Sequence, residues 1–164
     1  MTHRLIEYKE STHQAIDHYL QVMQSRGYVY GTCILPWDGG TTSLQTGRSI
    51  RQTIIGKGFK CRVLPQLRIH ERINAARTTF GQCWFDGERC ADGLAGLRRY
   101  QWGPLPPNGV AKREPLHDAA SHPADSFGYG ALHVRTPEVA SEAGPQRPKF
   151  VQPPPMPGPY APFG

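Results

Sequence analysis

The 164-residue sequence predicts an α/β fold, on two observations. Short segments rich in β-branched and aromatic residues alternate with segments whose apolar residues recur at helical spacing, the pattern of strands and helices in α/β sheets. Several of these segments end at a Gly or Pro, as at Gly27, Pro36, Gly58 and Pro65, which punctuate the elements.

Arg4 to Tyr8 reads as the first strand. Ser11 and Thr12 supply an N-cap for a helix carrying Ile16, Leu20 and Met23, with Gly27 as its stop. Tyr28 to Leu35 is a second strand ended by Pro36, and Trp37 to Gly40 is a turn. Ser49 caps a helix that holds Ile50, Ile54 and Ile55 and closes at Gly58. In the next strand Phe59, Cys61 and Val63 alternate with Lys60 and Arg62, and Pro65 stops it. Ile69, Ile73, Ala76 and Phe80 mark a further helix. Cys83 to Phe85 is a short extended piece, and Cys90, Leu94 and Leu97 mark a helix to about Tyr100. Gln101 to Pro115 is read as a loop or an irregular hairpin from its Pro and Gly content. The last helix begins at Ser121, with Pro123 in the first turn where its missing N–H costs nothing. Residues 1–134 form the expected domain. Residues 135–164 hold nine of the 16 prolines and are expected to be a disordered tail with polyproline II character.

Composition narrows the function classes. Gly and Pro together make up about a fifth of the chain and only 38% is hydrophobic, which implies a modest core. A formal charge of +6 favours polyanionic partners such as nucleic acid. Cys33, Cys61, Cys83 and Cys90 form no C-x-x-C pair, which argues against structural zinc and suits reduced, buried thiols. No apolar run is long enough to span a bilayer and no signal peptide is visible, so no membrane partner and a cytoplasmic location are expected. No G-x-x-x-x-G-K-[ST] motif is present, so no ATPase site is expected.

Two places carry candidate chemistry. Asp38 follows the apolar strand in Leu35-Pro36-Trp37-Asp38, at a sheet edge where α/β proteins bind ligands. On these residues alone it reads more readily as a turn former before Gly39 and Gly40. The second place is His117-Asp118-Ala119-Ala120-Ser121-His122-Pro123-Ala124-Asp125-Ser126-Phe127 at the start of the last helix. His122 and Asp125 are three residues apart and can face one way, above a packed stripe of Ala124, Phe127, Ala131 and Leu132. Asp118 can equally complement the helix N-terminus, and His117 can be a loop residue. Carboxylates without Cys partners favour Mg²⁺ or Mn²⁺. Arg48 and the trio Arg68, Arg72 and Arg77 on one helix are candidate DNA-backbone contacts, and equally a solvated face.

The run HDAASHPADSFGY resembles the last motif of the nuclease domain of phage terminase large subunits. Supporting blocks follow in the family's order: Tyr30-Gly31 to Asp38, Thr46-Gly47-Arg48-Ser49, Ile73-Asn74-Ala75-Ala76-Arg77, Cys83-Trp84-Phe85-Asp86, and Gly93-Leu94 through Tyr100. The resemblance covers about residues 3 to 134. It implies an RNase H-like mixed sheet flanked by helices, in which two divalent metals held by three acids hydrolyse double-stranded DNA during packaging. Asp38 corresponds to the second acid and Asp125 to the third. Asp118 matches a position that assists the metal site or its water, and His117 and His122 support it. In the complete family protein the portal and the small terminase subunit are partners.

Departures set the expectation of an N-terminally truncated domain. The family's first acid lies upstream of the Arg4–Tyr8 strand, and Asp17, Glu7 and Glu10 match nothing that replaces it. Trp37 stands where His is usual, and Gly128 where Arg is frequent. A catalytically inactive prophage remnant that binds DNA or a packaging partner is therefore the alternative expectation.

Overall fold

The computed structural model describes residues 2–104 and 114–135. Within them the order is β1 (His3–Leu5), α1 (Ile16–Ser25), β2 (Thr32–Leu35), a one-turn 3-10 helix (Trp37–Gly40), α2 (Ile50–Gly56), β3 (Lys60–Val63), α3 (Ile69–Phe80), β4 (Cys83–Phe85), α4 (Ala91–Arg99) and α5 (Ser121–Arg135). The α/β class read from the sequence holds. In place of one mixed sheet, the described strands form two separate parallel pairs, β1–β4 and β2–β3. No described helix is long and apolar enough to cross a membrane. The Pro-rich segment beyond Arg135 and most of the Gln101–Pro115 loop lie outside the described residues.

Local chemistry explains where the elements start and stop. Ser49 caps α2 as read: its Oγ accepts from Gln52 N at 3.1 Å and Gln52 Oε1 accepts from Ser49 N at 2.9 Å, a reciprocal capping box. The cap of α1 differs from expectation. His13 has φ 57°, a left-handed conformation that no right-handed helix accommodates, so the helix starts at Ile16. Ser11 instead exchanges backbone hydrogen bonds with the Tyr19 hydroxyl, at 3.1 and 2.7 Å. The β2 strand is shorter than read because its partner is short. Gly58, with φ 87°, turns the chain just before β3 and Pro65 follows it, so pairing begins at Thr32 opposite Lys60.

The core lies where α5 meets the rest. Leu64, Ala75, Ala131 and Leu132 form its buried centre, with Ile34, Ala76 and Tyr129 packed around them. One turn before Ala131, Phe127 joins Phe80 and Phe85 in an aromatic cluster with centroids 5.4 to 5.9 Å apart. Of the α5 stripe read from the sequence, Ala131 and Leu132 are buried and Phe127 packs in this cluster, whereas Ala124 is half-buried and the buried set also includes Pro123 and Gly128. The cysteines need a correction. Cys90 is buried, but Cys33, Cys61 and Cys83 are half-buried. Each of the three sits in a two-stranded ladder, where both strands are edges. Burial, full at Cys90 and partial at the other three, pushes all four thiols up.

Candidate functional site

Asp38 and Asp125 reach the same place from distant parts of the chain. The 3-10 turn that carries Asp38 follows the C-terminal end of β2 directly, with Gly39 N donating to Pro36 O at 3.0 Å. Asp125 lies in the second turn of α5. Both line a cavity of about 510 Å³, together with Ile34, Pro36, His122, Ser126 and Tyr129. His122, Asp125, Ser126 and Tyr129 are spaced at i, i+3, i+4 and i+7, so one face of α5 supplies one wall. Asp38 is exposed and its backbone oxygen accepts from Thr41 N at 2.9 Å, which closes the turn and fixes the residue at the cavity mouth.

Asp125 is not free. Its Oδ1 accepts from Arg72 Nη2 at 2.6 Å, while Arg72 Nη1 donates to the Tyr129 hydroxyl at 3.0 Å and the guanidinium lies 4.9 Å from the Tyr129 ring centroid. Arg72 is largely buried, with 14% of its side chain exposed against 38% for Asp125. It reaches Asp125 by crossing α5 at Gly128, where an added Cβ would lie 2.6 Å from Arg72 Cγ. An arginine therefore does occupy this neighbourhood, delivered by α3 across a gap that only glycine leaves. Tyr100 completes the surroundings: burial pushes its phenol up, the Asp125 charge adds to this and Arg72 opposes it.

His122 is oriented by a residue that sequence reasoning left unassigned. Its Nδ1 donates to Glu10 Oε1 at 2.6 Å, and the other Glu10 oxygen accepts from the Tyr8 hydroxyl at 2.6 Å. These hydrogen bonds, Tyr8 first, hold the Glu10 carboxyl below its usual range. No local motif surrounds Glu10, so only the tertiary fold reveals the pairing.

The other expected residues are placed elsewhere. Asp118 turns inward on its own segment: Oδ1 accepts from Ala120 N at 2.9 Å and its backbone oxygen accepts from Ser121 N at 3.0 Å and Ser121 Oγ at 2.7 Å. His117 Nδ1 lies 3.3 Å from the same Ser121 hydroxyl. Both thus organise the start of α5, and neither lines the cavity of Asp38 and Asp125. Arg48, Arg68 and Arg77 are exposed, whereas Arg72 is taken by Asp125. Asp86, in the Cys-Trp-Phe-Asp block, accepts from Glu88 N at 3.0 Å and Arg89 N at 2.8 Å and shapes the turn into α4.

Among the described residues no group of three or more His, Cys, Asp or Glu is arranged to hold a metal ion. Two carboxylates at one cavity do suit a single hard ion, because Mg²⁺ keeps several waters and takes one or two protein carboxylates plus substrate phosphate oxygens. Comparison with protein-family models, with curated proteins and with solved structures finds no match.

Proposed function

We propose that this chain is the RNase H-like nuclease module of a phage-type DNA-packaging terminase, hydrolysing phosphodiester bonds of double-stranded DNA in the host cytoplasm. The observation that carries the reading is the shared cavity of Asp38 and Asp125, the two acids singled out by the motif order. They would hold Mg²⁺ or Mn²⁺, and a bound ion would supply Lewis acidity toward a phosphate oxygen. Arg72 and Tyr129 fix the Asp125 carboxylate in position, and Glu10 fixes the His122 ring beside it. The positive balance of the chain favours approach to the DNA backbone. The portal and the small terminase subunit are the partners that such a module would meet.

A second reading is favoured by a specific observation. Asp125 is already neutralised by Arg72, and no third ligand joins the two acids among the described residues. That arrangement suits a remnant that binds DNA or a packaging partner without cutting. Nicking of supercoiled plasmid by the purified chain in Mn²⁺ separates the two. The nuclease reading expects nicking that Asp38→Ala and Asp125→Ala each abolish. DNA binding with no nicking above the Asp125→Ala background supports the remnant.

A further inference from the structure

Asp125 also borders a second cavity, which Arg72 lines as well. Its volume is about 470 Å³, and Arg72, Arg77, Tyr100, Trp102 and Phe127 are among the residues that line it. This size falls within the range of small-molecule sites, roughly 300 to 1,000 Å³. Its chemistry is selective: flat aromatic rings beside guanidinium groups, the combination that takes a base by stacking and its phosphate by charge.

The Trp102 ring is set in advance. Trp102 stacks on His70, with centroids 5.5 Å apart and planes 25° from parallel. Its backbone pairs with Pro115, reinforced by Gly103 N donating to Glu114 O at 2.8 Å and Leu116 N donating to Gln101 O at 2.9 Å. Arg72 is held by Asp125 and Tyr129, so its charge is largely spent within the protein. Arg77 is exposed on α3 and remains the guanidinium available to a phosphate.

We propose that this cavity takes one unpaired nucleotide of a DNA strand, its base against Trp102 and Tyr100 and its phosphate at Arg77. A paired base cannot enter, because its faces are covered by neighbours in the stack, so the site selects a frayed or single-stranded position. The proposal goes beyond the nuclease reading, whose substrate is double-stranded, by assigning a frayed or unpaired nucleotide to the cavity next to Asp125.

The test is fluorescence anisotropy of fluorescein-labelled dT10 with the full chain, at low salt and without divalent ion. Because nothing is cut, the binding result stays readable even if the nuclease reading fails. The parent is expected to prefer dT10 to a blunt duplex of equal length. Trp102→Ala should weaken dT10 binding by about tenfold, and Trp102→Phe, which keeps a ring, by far less. Arg77→Ala should lower the slope of log K against log salt by about 0.7, the share of one phosphate contact on a single strand. A misfolded protein would not produce that selective change in slope, so Arg77→Ala remains informative if Trp102→Ala does not fold. The proposal is overturned if dT10 does not bind, if the duplex binds as tightly, or if the Arg77 slope is unchanged.

Discussion

Gly128→Ala is the perturbation whose outcome follows most directly from the geometry. In most helices this change stabilises by about 1 kcal/mol, because alanine loses less backbone entropy. Here the new Cβ would sit 2.6 Å from Arg72 Cγ and 3.1 Å from its Cδ. Cγ is near the root of the side chain, so the whole guanidinium must swing away. That forfeits the ion pair to Asp125, worth about 1 kcal/mol at most because the Asp125 side chain is 38% exposed and solvent screens it. It also forfeits the hydrogen bond and ring contact to Tyr129, about 1 kcal/mol together, and residual overpacking adds roughly 1 kcal/mol. Set against the helical gain, the net effect is a loss of about 2 kcal/mol. Gly130→Ala is the internal control, since a Cβ there meets nothing within 4 Å and the same helix should gain up to about 1 kcal/mol. Urea denaturation followed by circular dichroism reads both. Gly128→Ala as stable as Gly130→Ala would refute the placement of Arg72 across α5.

Further outcomes follow from other contacts. Gly96→Ala would drive a Cβ into Cγ of the Pro123 ring, and because a proline ring cannot swing aside, the α4–α5 contact should lose about 3 kcal/mol in the same denaturation assay. Ser49→Ala removes a capping box and should cost about 1 kcal/mol without altering oligonucleotide binding. The Glu10 carboxyl is held below its ordinary value by Tyr8 and His122. Its contribution is therefore present above the unfolded carboxylate pKa and is lost as pH falls through the lower folded value. Glu10→Gln should flatten that acidic part of the stability–pH curve. All four thiols are raised by burial, so alkylation by iodoacetamide at pH 8 should run slower in the folded chain than in urea.

What the sequence made legible was local. The Ser49 cap, the Pro123 position and the i, i+3 relation of His122 and Asp125 depend on neighbours along the chain, and each appears in the structure as read. The left-handed His13 was invisible, because no residue type demands it there and it displaced the α1 start by several residues. Strand lengths were overestimated because a strand ends where its partner ends, and β3 is fixed by Gly58 and Pro65 far from Tyr28. The site was legible in the same way. Asp38 and Asp125 stand in recognisable runs, but Arg72, Tyr129 and Glu10 act through contacts between remote segments. Gly128 carried the one available clue, a missing side chain on the packed face of α5, and its meaning depended on knowing that Arg72 crosses there.

The meeting of Asp38 and Asp125 at one cavity is tested most directly by Mn²⁺ binding, read from the electron paramagnetic resonance signal of the free ion. If both carboxylates hold the same ion, Asp38→Ala, Asp125→Ala and the double variant should lose affinity to a similar extent, far from the sum of two independent effects. Binding that survives in both single variants, or losses that simply add, would contradict a shared site.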